Sequence, residues 1–248
     1  MLHSLAATAL YCMRLPWKFY LTMEATVTIL PCALPANIET KTKVTASPAT
    51  KFAQSVANDS LARKVDVEKI AAAVEMILEA VGEDPRRAGL IDTPQRVARL
   101  YQELCYSTGV DSASEITCKF QEETDGLVIV KGIEFTSLCE HHLVPFVGVA
   151  HVAYLPSDGV ITGLSKLARV VELTARRLQV QERMTEEIAD AIYQGIDPQG
   201  VCVQLEAEHM CMSMRGIKKA GARTMTTAFR GVFKTDKQSR AEVLAHFK

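Results

Sequence analysis

The sequence predicts an α+β protein, an antiparallel sheet backed by two helices with a further helical pair ahead of it. Three observations carry this prediction. Two early segments repeat apolar residues at spacings of three and four, the period of a helix with one buried face. Short β-rich runs then bracket two more helical segments, without the repeated βα alternation that builds a parallel sheet. A late stretch alternates strictly between apolar and polar residues, as a half-buried strand does.

Taken in order, the first helix begins near Val67 and turns Ile70, Ala71, Val74, Ile77, Leu78 and Val81 inward, with Gly82 as its stop. The second opens on Thr93-Pro94, a cap followed by proline at the first helical position, and buries Val97, Leu100, Tyr101 and Leu104. Arg96 and Arg99 fall on its opposite side. Strands are predicted over 127–135 and 146–155, joined by a connection that carries Cys139. Helices follow over 165–178 and 182–195. The strand over 201–213 would place Val201, Val203, Leu205, Ala207, His209 and Cys211 on one face, and a closing strand spans 223–233.

Composition bounds the function. The chain has 248 residues, 48% apolar and 23% charged, with a formal net charge of -1. That is an ordinary globular balance, and it points away from nucleic acid. Locally Arg215, Lys218, Lys219, Arg223, Arg230 and Lys234 cluster with little acid among them, which favours a small anionic ligand. Seven cysteines, odd in number and irregular in spacing, argue against a disulfide framework and for a reducing compartment. Residues 1–23 are apolar and acid-poor, but Arg14 and Lys18 interrupt them before they could span a bilayer, so no membrane association is expected. Residues 1–60 read as a poorly ordered extension, and 61–248 as the functional domain. The expected address is the cytoplasm; the alternatives for the extension are an organelle-targeting segment or a start at Met23.

Three constellations carry chemistry. Cys139 and His142 stand in a C-x-x-H spacing, and Glu208-His209-Met210-Cys211 pairs His with Cys again about seventy residues later. Cys139, His142 and Cys211 make a soft donor set suited to Zn²⁺. His141 and His209 lie near enough either to close a structural site as a fourth ligand or to remain free for proton transfer beside a catalytic one. The second constellation is Gly163-Leu-Ser-Lys-Leu-Ala-Arg169. It sets Ser165 at a helix start with Lys166 and Arg169 on one side of the first turn, a cradle for an anion. Arg215 adds a fork-shaped donor close after Cys211. The third is Gln181-Glu182: a carboxylate accepts two parallel hydrogen bonds, and the guanine edge offers two adjacent N–H donors.

These residues, in this order, resemble the GTP cyclohydrolase I family. The likeness runs from Asp92-Thr-Pro-Gln-Arg96 through S-L-C-E-H-H-L-V-P-F, G-L-S-K-L-A-R, A-R-R-L-Q-V-Q-E-R and E-H-M-C-M-S-M-R-G-I to T-M-T-T-A-F-R-G-V-F. The resemblance implies the tunnelling fold and a zinc enzyme that opens GTP at C8, releases formate and recloses the product to 7,8-dihydroneopterin triphosphate. It implies zinc on Cys139, His142 and Cys211, and proton transfer by His141 and His209. Ser165, Lys166, Arg169 and Arg215 would hold the triphosphate and ribose, Gln181 and Glu182 the guanine, and Arg96 and Arg99 a neighbouring subunit's phosphates. It also implies a homodecamer with sites between subunits.

Overall fold

The structure, a computed structural model, describes residues 64–248; the predicted extension over 1–60 lies outside them. The N-terminal pair forms as expected. Helix α1 (Val67–Ala80) is capped by the Asp66 carboxylate, which accepts from the Lys69 amide, and α2 (Thr93–Leu104) has proline in its first turn. The buried residues are fewer than predicted: Ala71 and Val74 on α1, Ala98 and Leu104 on α2. Leu100 is 50% exposed, and Ile77 and Val81 are also exposed. Only a narrow stripe of each helix is covered, and the flanking apolar side chains are left outside it.

A 3-10 turn (Ser112–Glu115) leads into the sheets. Strands β1 (Lys119–Gln121) and β4 (Val160–Thr162) pair in a small sheet of their own. The main sheet contains β2 (Val128–Cys139), β3 (Pro145–Leu155), β5 (Leu178–Gln179), β6 (Gly200–His209) and β7 (Thr224–Gly231), in the order β5-β2-β3-β6-β7. All of its pairings are antiparallel except the short β5, which runs parallel to β2. Neither β5 nor the small sheet was expected. At two or three residues each, these strands are too short to show a period.

Helices α3 (Leu164–Ala175) and α4 (Gln181–Ile196) back one face, as predicted. Leu167, Val170, Val171, Met184, Ile188 and Ile192 pack there on Ala150, Val152, Val201, Val203 and Leu205. The opposite face is partly covered by the short α6 (Val232–Thr235) and by α7 (Lys237–Ala245), where Phe233, Val243 and Phe247 meet Ala153 and Cys202. The alternation of β6 therefore feeds two cores, with odd-numbered residues toward α3 and α4 and Cys202 toward the C-terminal helices.

Two predicted strands change at their ends. Strand β2 runs four residues past Phe135, so Cys139 ends a strand rather than sitting in a free connection. Strand β6 stops at His209, and Met210–Ser213 form a one-turn helix, α5, that carries Cys211. Alternation does not place Cys211; the turn of α5 does. Among the described residues no helix is long and apolar enough to cross a membrane.

Candidate metal centre and active site

The sheet brings the two halves of the predicted site to one edge of the main core. The β2–β3 hairpin pairs Leu138 with Pro145, and β3 continues into register with β6 so that Phe146 lies opposite His209. The turn between β2 and β3 is closed by one residue's main chain: the Cys139 amide donates to Val144 O at 2.9 Å, and the Leu143 amide donates to Cys139 O at 2.8 Å. Leu143 sits at φ 55°, a left-handed conformation uncommon for a branched side chain. Strain of this kind persists where the surroundings over-determine it, as they do in so short a turn.

One ligand atom each from Cys139, His142 and Cys211 lies within 4.8 Å of the others. Two thiolates and an imidazole bound tetrahedrally to zinc stand roughly 3.5–3.8 Å apart, so the spacing fits such an ion. The electrostatics point the same way. Burial pushes the Cys211 thiol up, and the adjacent Cys139 sulfur pushes it further, with the Arg215 guanidinium opposing. Two sulfurs this close hold a pair of negative charges only if a cation discharges them.

The two remaining histidines stand outside that group of three. His141 is exposed, its Nδ1 3.9 Å from Cys139 Sγ and its ring 6.3 Å from that of His142. His209 stacks on Phe146, with centroids 4.6 Å apart and planes 1° from parallel. Its Nε2 lies 2.7 Å from Gln181 Oε1. The Gln181 amide nitrogen reaches Thr224 O at 2.9 Å, Thr226 Oγ1 at 3.1 Å and Leu205 O at 3.3 Å. Carbonyl oxygens only accept, so the amide NH₂ faces them and Oε1 faces the histidine. The neutral His209 ring therefore carries its proton on Nε2 and leaves Nδ1 as the acceptor. Burial holds its pKa below the ordinary imidazole value, and the nearby Glu182 carboxylate opposes that shift.

This geometry revises one expectation. Gln181 is 1% exposed and its side chain is committed to β6, β7 and His209, so it orients a histidine and does not present an open edge to a base. Glu182, one residue on, is exposed on the first turn of α4. It borders a cleft of about 360 Å³ that Thr185, Glu186, Thr226 and Thr227 also line.

The helix start read as an anion cradle differs in detail from the expectation. The cap residue of α3 is Gly163, and Ser165 is the second helical residue, exposed, not the cap. Lys166 Nζ and Arg169 Nη1 both donate to Glu115 Oε1, at 3.0 and 3.1 Å. Arg215 is exposed in the loop after α5. Of the other predicted cations, Arg230 bridges Asp190 at 2.6 Å and Glu186 at 2.7 Å, tying β7 to α4. Arg96 pairs with Asp92 at 2.9 Å at the start of α2, where Arg99 is likewise exposed, and neither belongs to the group that holds the cysteines. Glu115 and Phe146 were missed as site residues. Phe146 lay within the central motif; Glu115 gave no local signal, because its partners are about fifty residues later in the chain.

The family model for GTP cyclohydrolase I matches residues 70–248. The chain belongs to the GTP cyclohydrolase I family. It is 58% identical over 184 residues to the GTP cyclohydrolase 1 of Geobacillus sp. (strain WCH70), covering 74% of this chain and 98% of that protein. Against the GTP cyclohydrolase 1 of Geobacillus kaustophilus (strain HTA426) it is 56% identical over 185 residues, 75% of this chain and 98% of the relative. The corresponding protein of Streptococcus pyogenes serotype M49 (strain NZ131) is 55% identical over 181 residues, 73% of this chain and 93% of the relative. The expectations of family, of an enzyme of the GTP cyclohydrolase I class and of an α+β tunnelling fold therefore hold.

Proposed function

We propose that this enzyme is zinc-dependent and converts GTP to 7,8-dihydroneopterin triphosphate, the first step of folate and pterin biosynthesis. It opens the imidazole ring at C8, releases that carbon as formate and recloses the product. The observation that carries the reading is the Cys139–His142–Cys211 group with His141 and His209 beside it but outside it. Zinc held by those three residues supplies Lewis acidity and lowers the pKa of solvent.

The chain's own groups do the rest. His141, exposed at the tip of the β2–β3 turn, exchanges protons with the opening imidazole ring. His209, fixed by Phe146 and Gln181, accepts through Nδ1 or donates after protonation. Glu182 reads guanine by accepting from its ring N–H and its exocyclic amine together. Lys166, Arg169, Ser165 and Arg215 hold the triphosphate and ribose, and Arg96 and Arg99 reach the phosphates of a neighbouring subunit. Assembly as a homodecamer with sites between subunits is supported by the exposed Met76, Ile77, Val81 and Ile91 of the N-terminal segment and by the open side of edge strand β7. Residues 1–60 form an extension to the catalytic domain over 61–248, and the enzyme works in the cytoplasm unless that extension directs it to an organelle.

Incubating the zinc-loaded protein with GTP should yield one formate per GTP consumed and a product that becomes a fluorescent pterin on oxidation. Intact GTP in the presence of metal-replete protein overturns the reading. In the same assay Glu182→Gln should lose discrimination between GTP and other purine triphosphates by at least about 10²-fold, because an amide cannot accept from both guanine donors and leaves one unpaired. An unchanged preference in that variant removes Glu182 from the base site.

A further inference from the structure

Lys166 and Arg169, the pair assigned above to the triphosphate, already hold an anion. Both donate to a single oxygen, Oε1 of Glu115, at 3.0 and 3.1 Å. The Glu115 side chain is 14% exposed and that of Lys166 17%, so this half of the contact is largely shielded from solvent, while Arg169, at 46%, closes it from the open side. Ion pairs at the open surface are loosened by water and salt; a shielded pair is much less so.

The carboxylate is also held in place from behind. Glu115 ends the 3-10 turn that starts at Ser112. The Asp111 side chain accepts from the Ala113 amide at 3.0 Å, and the buried Ser112 Oγ shares a 2.9 Å hydrogen bond with Thr174 Oγ1, whose own proton goes to Val170 O, fastening the turn to α3. On the other side Ile116, 8% exposed, packs into the main core over Gly195 of α4. The fit is close: a Cβ at Gly195 would come within 2.6 Å of Ile116 Cδ1. Glu115 is thus presented to the two cations by a turn anchored at both ends, not by a mobile loop.

We propose that Glu115 is an internal competitor for the phosphate grip, a carboxylate latch that an incoming triphosphate must displace from Lys166 and Arg169. The latch lowers the affinity of the two cations for any anion by a common factor. A ligand with further contacts, such as a guanine edge, overcomes that factor; orthophosphate alone does not. The reaction leaves the triphosphate intact, so a grip without a competitor would hold product as firmly as substrate. The returning carboxylate takes back the cations as product departs. This inference rests on Lys166 and Arg169 contacting the triphosphate.

The sign of one measurement decides it. Inorganic triphosphate is titrated as a competitor of GTP turnover in the zinc-loaded, full-length enzyme and in Glu115→Gln, which keeps shape and removes charge. The latch predicts that Glu115→Gln binds inorganic triphosphate about five- to tenfold more tightly, the factor that corresponds to losing a modest ion-pair competitor. A carboxylate that merely orients the two cations for substrate predicts weaker binding, so unchanged or weaker inhibition overturns the proposal. Should Glu115→Gln fail to fold, Glu115→Asp withdraws the carboxylate by one methylene and carries the same test, with tighter inhibition again required. Lys166→Ala separates the two layers of the argument. If it weakens inorganic triphosphate while Glu115→Gln does not tighten it, only the latch fails; if it leaves inorganic triphosphate binding unchanged, the phosphate assignment fails and the latch with it.

Discussion

Cys211→Ser is expected to lose bound zinc and turnover together, with activity falling by at least about 10³-fold, the equivalent of the several kcal/mol that a Lewis acid contributes to a hydrolytic barrier. The reason lies in the local structure. Cys211 rides on the single turn of α5, at the rim of the main core, where its sulfur lies beside that of Cys139. A serine hydroxyl fits the space but does not ionise near neutral pH, and it is a poor ligand for a borderline-soft ion. Its removal leaves the sheet intact, so thermal unfolding of the variant should match that of chelator-treated native protein. Zinc added back should restore the chelated native enzyme and leave the variant inactive. Equimolar zinc retained by Cys211→Ser would take Cys211 out of the metal centre. Cys202→Ser is the control: that thiol is buried in the second core, where desolvation pushes its pKa up to about 12, and its loss should leave metal content unchanged.

His141→Ala is expected to part metal from activity. Its zinc content should stay equimolar while turnover falls about 10²- to 10⁴-fold, the usual contribution of a positioned acid or base. His141 is next to a ligand in sequence, yet its ring is nearly perpendicular to that of His142, at 80°, and it stands outside the three-donor group. Atomic absorption on the purified variant, read against its rate of formate release, makes the comparison. His142→Ala supplies the contrast, since there metal and turnover should drop in proportion. If the two also fall together in His141→Ala, then His141 closes the zinc coordination and the centre is structural.

Much of this architecture is legible in the chain because the decisive signals are local. The three-and-four spacing of α1 and α4, the Thr93-Pro94 start of α2 and the alternation of Val201, Val203, Leu205 and Ala207 each need only a few neighbouring residues to be read. Sequence gives less where long-range packing decides. Nothing near Leu100 indicates that Ala98 will take the buried position, because packing against elements elsewhere in the chain sets that choice. The break at His209 is hidden because Met210 and Met212 prolong an apparently strand-like run into what becomes a helical turn. Gln181 reads as an exposed polar residue ahead of a helix; only the arrival of Leu205 O and Thr224 O from two strands shows that its amide is spent inside. Glu115 is the extreme case, since its meaning depends wholly on α3 folding against the turn that carries it.

The closure of the β2–β3 turn on the main chain of Cys139 makes length the constrained variable at this corner of the molecule. The same residue offers its sulfur to the metal group and ties both ends of the turn through its amide and carbonyl. An inserted residue between Cys139 and His142 would rotate the imidazole away even if every ligand survived. Composition is freer: at Leu143 the left-handed backbone would accept glycine or asparagine more readily than leucine. Diversity at this corner is thus open to exchanges of side chain and closed to insertions and deletions.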